Sequence, residues 1–356
     1  MRKLLPLLLA VVLFSSHDMF LKLDTFFLEP GTPATIRLFN GTFEESDNTI
    51  ARRRMVDVSL IGNGTRTRLD TASWTENDKK QTLLHFITGD AGTWVAGVST
   101  RPNDIAMDAE AFNNYLAHDG VVDMFAARKA SGIAGQDAVE QYAKHVKTIF
   151  QVGDQKTGDW QTELGYPVEF VPLSNPYDLK AGDELAVKLL VDGQPATNQL
   201  VIVGAPRTGH DEHDHAHADE AGHDHDQEAA DEHIHDYGTR LRTDARGVLT
   251  FPIDHEGIWH LRTIHMVTTD APGLTHESNW ATLTFEVGHG HAHGAHGHDH
   301  ASAADHHDHG DGEGAHNHAD GDAHDHDTEA GVPAYLFWVG SLAILTGLFF
   351  FFNRQA

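Results

Sequence analysis

The sequence predicts a mainly β protein: two immunoglobulin-like β-sandwich lobes with a helical insertion, His-rich disordered tracts and one C-terminal transmembrane helix. Three observations predict the sandwiches. Short runs rich in β-branched and aromatic residues recur through 17–288, and several alternate apolar with polar positions. Turn pairs such as Asn63-Gly64 separate these runs. The stretch D-A-G-T-W-V-A-G-V-S at 90–99 also parallels H-E-G-I-W-H-L-R-T-I at 255–264, which indicates a repeated lobe.

The N-terminus has the pattern of a secretory signal peptide. A short basic start is followed by an apolar core at 4–14 and by two small residues, Ser15 and Ser16. We therefore expect 1–16 to be a signal peptide that is removed just before His17. Export of the rest of the chain follows from that expectation.

The periodicity of apolar residues divides the body into three parts. Strand-like runs fill 17–103, the first predicted lobe. Apolar residues then follow helical spacing through 104–150, which predicts two or three helices as an insertion. Strand patterns return through 151–288, the second predicted lobe, which is interrupted by a His-rich loop at 209–236.

Histidine and acidic residues are concentrated in two tracts. Of 29 histidines, eight lie in 210–236 and thirteen in 289–326. Segments 210–236 and 289–329 also hold 21 of the 53 acidic residues and no Lys or Arg, which leaves about −7 of the formal charge of −28 for the rest. Such composition cannot build a core, so we expect a disordered loop and a disordered stalk at 289–331.

The C-terminus predicts a membrane anchor. Residues 335–352 are uncharged, and 18 residues approach the roughly 20 that cross a bilayer as a helix. We expect a transmembrane helix at 334–352, and Arg354 after it favours a cytoplasmic C-terminus. With a cleaved signal, this predicts a single-pass protein of the inner membrane whose main body lies in the periplasm.

The spacing of the tract histidines predicts metal binding. H-x-H and H-D-H patterns recur, and neutral imidazoles beside carboxylates bind Zn²⁺, Ni²⁺, Co²⁺ and Cu²⁺. Ordering a flexible chain opposes binding, so these sites should be exchangeable. The pattern does not encode which divalent transition metal is bound. The expected tract ligands are His213, His215, His217, His223, His225, His233, His235, His289, His291, His293, His296, His298, His300, His316, His318, His324 and His326.

The body offers a few further candidate ligands. Removal of 1–16 would leave His17 with a free α-amine, so its amine and imidazole could chelate one ion, with Asp18 as an extra oxygen ligand. His260 and His265 lie five residues apart in one predicted strand. That odd spacing places them on opposite faces, so they are not an obvious pair.

Other functions have little support in the sequence. There is no phosphate-binding Gly-rich loop, no Ser/His/Asp arrangement and no paired-carboxylate signature, so we expect no enzymatic activity. Nucleic acid is not an expected partner, because its binding needs clustered Lys and Arg. Cysteine is absent, which excludes thiolate metal sites and disulfides.

Several motifs together carry a family resemblance. They are H-D-M-F-L-K-L at 17–23, G-T-W-V-A-G-V-S at 92–99, E-Q-Y-A-K-H-V-K-T-I-F-Q-V-G at 140–153, L-G-Y-P-V-E-F-V-P-L-S-N-P-Y-D-L-K-A-G-D at 164–183, and T-D-A-R-G-V-L-T-F-P-I-D-H-E-G-I-W-H-L-R-T-I-H-M at 243–266. Over 17–288 the chain resembles the NikM-like periplasmic family, a domain of unknown function associated with nickel or cobalt uptake. The resemblance implies capture of a divalent transition metal and its transfer to a transporter.

The expected function is thus that of a membrane-anchored periplasmic accessory protein that captures a divalent transition metal for uptake. Nickel or cobalt is favoured, and an inner-membrane metal transporter is the expected partner. Two alternatives stay open. The protein could be a periplasmic zinc or copper buffer that confers resistance, or an adhesion or carbohydrate-binding sandwich whose His tracts are incidental.

Overall fold

The computed structural model describes residues 17–206 and 238–288. The predicted signal peptide, both His tracts, the stalk and the predicted transmembrane helix at 334–352 lie outside the described residues. Within the described ranges, no helix combines the length and the apolar character needed to cross a bilayer.

Strands dominate the described residues. In chain order they are β1 (Asp18–Leu23), β2 (Phe27–Leu28), β3 (Pro33–Gly41), β4 (Met55–Gly62), β5 (Thr65–Arg68), β6 (Trp74–Glu76), β7 (Thr82–Ile87), β8 (Gly92–Thr100), β9 (Asn103–Met107), β10 (Ala138–Val152), β11 (Val168–Pro172), β12 (Glu184–Val191), β13 (Gln194–Pro195), β14 (Leu200–Gly204), β15 (Thr239–Arg242), β16 (Val248–Pro252), β17 (Gly257–Thr268) and β18 (His276–Val287). Two helices, α1 (Ala109–His118) and α2 (Val122–Ala130), join β9 to β10. Short 3₁₀ turns lie at Arg52–Arg54, Thr71–Ser73, Gly158–Gln161 and Pro176–Asp178.

The described strands form three sheets. The central sheet has the order β15-β14-β17-β18-β10-β8-β4-β5, with β2 and β9 also paired to β10. Sheet A has the order β1-β3-β7-β6, and sheet C has the order β11-β12-β13 with β16 beside β12. These stacked sheets confirm the prediction of a mainly β, sandwich-like fold.

The central sheet is covered on both faces. On one face, Thr282 of β18 donates to the backbone carbonyl of Met19 in β1, so sheet A packs there. On the other face, Tyr177 donates to the carbonyl of Ile149 in β10, next to sheet C. The core between the layers includes the fully buried side chains of Phe150 and Phe170. Each such side chain contributes about 1.5–3 kcal/mol through burial.

Strand β10 joins the two predicted lobes in one sheet. It pairs antiparallel with β8 through Ile149↔Val95, and parallel with β18 through Glu140↔His276. The helical prediction for 104–150 holds for α1 and α2, but it is wrong for β9 and β10. Because both faces of β10 are covered, its residues are buried almost continuously and the alternation typical of a half-exposed strand is lost. Its apolar residues then also fit helical spacing.

The two outer strands of the central sheet carry similar sequences. β5 reads T-R-T-R and β15 reads T-R-L-R, and both are largely exposed. Charged side chains on edge strands oppose pairing with another chain. These arginines therefore protect the edges of the longest sheet.

Candidate functional site

Both His tracts connect to the body beside strand β17. The first tract follows β14, and the second follows β18. Both strands are antiparallel to β17: β14 pairs with one of its edges and β18 with the other. They are therefore parallel to each other and end at the same end of the sheet, with Gly204 opposite His260 and Val287 opposite Gly257.

The separation of the two connections follows from the register. Along the direction of β17, the last residues of β14 and β18 are offset by three residues, or about 10 Å. Across the sheet they are separated by two strand spacings, also about 10 Å. The chain therefore leaves the body toward both tracts from points on the order of 14 Å apart. Sequence alone could not predict this, because the two points lie more than 80 residues apart in the chain.

His17 immediately precedes β1 and lies beside a carboxylate. Its imidazole Nε2 is 3.2 Å from Oδ2 of Asp47, and the two side chains are 27% and 48% exposed. Its backbone carbonyl accepts a hydrogen bond from Nζ of Lys144, which also donates to Oδ1 of Asn40 at 2.9 Å. The residue is thus held through its backbone carbonyl, and its ring lies near a carboxylate while still being reached by solvent.

Lys144 is a buried cation. Desolvation lowers its pKa to about 8, although the negative charges of Asp18, Asp119 and Glu140 oppose that shift. Its ammonium lies 5.2 Å from the ring centroid of Trp280, a distance at which a cation is attracted to an aromatic face. A buried amine in this setting is stabilised by the few oxygen acceptors that it reaches, one of which belongs to His17.

Gly41 allows the turn that carries Asp47 to approach β1. Gly41 pairs with Asp18 across the β1–β3 ladder. A Cβ atom at this position would lie 2.5 Å from the carbonyl oxygen of Glu45 and 2.9 Å from Oδ2 of Asp47. Any larger residue would displace the carboxylate that faces His17.

Asp18 contacts a cation rather than the imidazole of its neighbour. Its Oδ2 lies 3.4 Å from Nε of Arg262, and both side chains are mostly buried. Arg262 also donates to the backbone carbonyl of Asp119 at 3.4 Å. Since a guanidinium stays charged, this ion pair competes with coordination of a metal ion by Asp18.

His260 and His265 are not brought together. His260 is buried between Phe20 and Phe43, stacked on the latter with ring centroids 4.2 Å apart. Desolvation, helped by the nearby positive charge of Arg262, lowers the pKa of His260 to about 3. His265 instead bonds Oε1 of Gln199 through Nδ1 at 3.1 Å, and burial lowers its pKa. These separate surroundings agree with the odd spacing of the two residues.

Other body histidines are held in structural contacts. His145 bonds Oγ of Ser99 and Oδ1 of Asn279 through its two ring nitrogens, each at 2.9 Å. His276 is buried against Phe112 of α1, and desolvation lowers its pKa to about 4. In the two described ranges, no group of three or more His, Asp or Glu side chains could hold a metal ion.

Sequence reasoning identified His17 but missed the polar groups that surround it. Asp47 belongs to a turn with no recognisable ligand motif, and Lys144 lies 127 positions from His17 within a run interpreted as a helix. Glu140 lies four residues before Lys144 on β10. It is buried and accepts a hydrogen bond from Tyr115 at 3.1 Å. Burial raises the pKa of Glu140. Only turn geometry and the stacking of the sheets bring Asp47 and Lys144 to His17.

The described residues thus define a mainly β protein whose sandwich-like sheets hold a partly exposed histidine at the start of the first strand. Residues 14–267 match a domain of unknown function, DUF4198, and the chain belongs to that family. The match includes the first His tract at 209–236 and ends before β18 and the second tract. No curated protein matches this sequence.

The chain is also similar in part to several solved structures. A DUF4785 family protein from Legionella pneumophila is 9% identical, with 68% of this chain and 51% of that chain covered and a TM-score of 0.20. Trypsin-activated alpha-2-macroglobulin from Escherichia coli is 11% identical, with 76% and 16% covered and a TM-score of 0.21. The adhesin InvE from Yersinia pseudotuberculosis is 14% identical, with 76% and 60% covered and a TM-score of 0.19. This chain spans about half of the Legionella protein.

Proposed function

We propose that this protein is a membrane-anchored periplasmic accessory protein that captures a divalent transition metal and passes it to an inner-membrane transporter. The observation that carries the proposal is the connection of both His tracts to one end of the central sheet. The tracts with twenty-one imidazoles thus follow two strands that finish at the same end of one sheet.

Tethering at neighbouring points favours shared coordination. The strands that precede the two tracts end about 14 Å apart, and linking two sets of ligands at neighbouring points raises their effective concentration for one shared ion. Neutral imidazoles and carboxylates are suitable ligands for Ni²⁺, Co²⁺, Zn²⁺ and Cu²⁺. The preference for nickel or cobalt rests on the resemblance to the NikM-like family, and the membrane anchor rests on the apolar run at 335–352.

Metal binding by the tracts is tested with the full mature chain in detergent micelles. One variant replaces the histidines of 210–236 and 289–326 by serine. Equilibrium dialysis against Ni²⁺ and Co²⁺ should count several ions per wild-type chain and at most one per variant chain. An unchanged number of bound ions would contradict the proposal.

The tracts provide a matched control. They hold 21 acidic residues, the same number as their histidines. Replacing those acids by Asn and Gln removes the electrostatic attraction for any cation but keeps the imidazoles. We expect this control to retain most of the bound ions, because imidazole is the stronger ligand for these metals.

The role in uptake is tested in cells of the native host. Deletion of the gene should lower nickel or cobalt accumulation under limiting metal if the protein serves uptake. A zinc or copper buffer would instead leave accumulation unchanged and reduce survival in excess zinc or copper. That second result would replace uptake by resistance while keeping metal binding.

A further inference from the structure

A cavity of about 300 Å³ lies at one edge of the sandwich. Strand β4 of the central sheet and edge strand β6 of sheet A both contribute residues to its lining, together with the end of β5. Small-molecule sites have volumes of about 300–1,000 Å³, so this cavity has room for a small organic molecule.

Part of the lining is apolar. Trp74 and Val58 are 4% and 7% exposed, and Met55 and Leu69 pack against the same hydrophobic core. Val56, which also belongs to the lining, is 54% exposed. An apolar group placed against these side chains is removed from water, which favours its binding.

Arg52 supplies the lining with a cation that has no carboxylate partner among the described residues. Its Nη2 donates to the backbone carbonyl of Trp74, which fixes the guanidinium beside the cavity. None of its remaining N–H donors bonds another residue in the described ranges. They are available to the oxygens of a carboxylate, which a guanidinium binds through two parallel hydrogen bonds.

The buried carboxylate of the lining, Asp57, is already neutralised. It accepts hydrogen bonds from the hydroxyl of Tyr166 at 2.8 Å and from Nη2 of Arg66 at 2.6 Å. Burial alone would raise the pKa of Asp57, but the hydrogen bonds from Tyr166, Ser59 and Arg66 outweigh it and hold the pKa below its usual range. Asp57 therefore stays ionised and is balanced by Arg66.

Arg68 is the second guanidinium of the lining. Its Nε lies 3.3 Å from Oδ1 of Asp57, and its side chain is 74% exposed. Because Asp57 is already paired with Arg66, Arg68 keeps most of its capacity to bind an anion. The other acid of the lining, Asp70, is exposed and accepts a hydrogen bond from the backbone N–H of Ala72 at 2.8 Å. The excess charge around the cavity is thus positive.

We propose that this cavity binds a small organic acid, whose carboxylate is held by Arg52 and Arg68 and whose apolar part packs against Trp74. The guanidinium groups supply charge-assisted hydrogen bonds. The apolar lining favours an acid with a hydrocarbon body over an inorganic anion. The site lies apart from the His tracts, so the proposal goes beyond metal capture and is tested independently of it.

The test is calorimetric titration of the full chain in detergent micelles, with a matched detergent blank. The probes are benzoate, hexanoate, benzamide and inorganic phosphate. We expect each of the two acids to bind once per chain with a dissociation constant of about 1 mM or below. Benzamide has the shape of benzoate without its charge, and phosphate has charge without an apolar body. Each should bind about tenfold more weakly or less.

Two pairs of variants separate charge from shape. Arg52→Gln removes the cation without a carboxylate partner and should weaken benzoate binding about tenfold or more. Arg53→Gln, at its exposed neighbour outside the cavity lining, should leave the affinity unchanged. Val56→Glu places an anion in the exposed part of the lining and should also weaken binding about tenfold, whereas Val56→Gln should retain it.

The outcomes decide for or against the site. Binding of both acids that is lost in Arg52→Gln and Val56→Glu but kept in their controls supports the proposal. Absence of saturable binding by both acids, or equal benzoate affinity of the wild-type and Val56→Glu chains, would overturn it. Equal affinity for benzamide would also refute an acid site, because the cavity would not distinguish charge. Equal affinity for phosphate would refute the role of the apolar lining.

Discussion

The two faces of the central sheet use buried charge differently. On the face toward sheet C, Lys147 is 3.2 Å from Glu169 and also donates to two backbone carbonyls. On the face toward sheet A, Lys144 has no carboxylate within salt-bridge distance among the described residues, and it donates to Asn40 and to the backbone of His17. Both lysines lie on β10, three residues apart.

The different partners of the two lysines indicate a structural role for Lys147 and a role near a candidate site for Lys144. The groups facing sheet C satisfy one another, because Glu169 also accepts from the backbone N–H groups of Leu164 and Gly165. Unpaired buried nitrogens occur on both sides, at Nδ1 of His260 toward sheet A and at Nε2 of His255 beside Trp259, so the contrast lies in the partners of the two lysines. Buried groups with incomplete hydrogen bonding require an explanation, and functional sites are one. The lesson is that the same residue type on one strand can support the core on one face and a candidate site on the other.

Removing the carboxylate partner of Lys147 should give the largest loss of stability. Glu169→Ala leaves a buried ammonium without its carboxylate, and such losses cost about 3–5 kcal/mol of unfolding free energy. Urea denaturation of the full mature chain in detergent micelles measures this. Glu184→Ala, at an exposed glutamate of β12, serves as the control and should change stability by less than about 0.5 kcal/mol. A loss below about 1 kcal/mol for Glu169→Ala would remove the contrast between the faces.

Acid should destabilise the face toward sheet A. The pKa of His260 falls to about 3 in the folded protein, from 6.5 in the unfolded chain. The unfolded state alone therefore binds this proton between those values, so stability is complete above pH 6.5 and declines as pH falls. The free energy of unfolding falls by about 1.4 kcal/mol per pH unit, or by about 2 kcal/mol from pH 6 to 4.5.

His260→Phe isolates that contribution. Phenylalanine keeps the stacking on Phe43 but cannot be protonated, so its unfolding free energy should fall less steeply with acid. Parallel curves for the two proteins over pH 6 to 4.5 would show that His260 is not the responsible group. His276, whose pKa falls to about 4, should preserve part of the slope in both.

The smallest expected effect is on metal affinity, which should depend on Lys144 but not on Lys147. Lys144→Met leaves the His17 carbonyl without its donor and should weaken metal binding by the chelate that the sequence predicts at His17 about tenfold, on the scale of a lost supporting contact. Lys147→Met should leave that affinity unchanged, because the residue contacts the opposite layer. Calorimetric titration of Ni²⁺ into the tract-substituted chain compares them, and equal affinities would contradict a positioning role for Lys144.

Much of the fold could be predicted from sequence, and the failures have physical causes. Turn pairs and apolar runs predicted a mainly β sandwich, which the structure confirms. They failed at β10, where cover on both faces removed the alternating pattern. The same strand joins the two predicted lobes, through pairings that no local pattern encodes.

The candidate site was only partly predictable. The position of His17 after an apolar leader indicated a possible chelate, whereas Asp47 and Lys144 reach it through turn geometry and sheet stacking. The tract histidines and the predicted membrane anchor lie outside the described residues, so they stay predictions. The common exit of the tracts required the register of β14, β17 and β18.

The most direct test of metal capture by the tracts is calorimetric titration of Ni²⁺ into the full mature chain at pH 7.5 and at pH 5. Protonated imidazole cannot bind metal, and the unperturbed pKa is about 6.5. We predict several bound ions per chain at pH 7.5 and loss of nearly all of them at pH 5. The same number of ions at both values would show that the tract imidazoles are not the ligands.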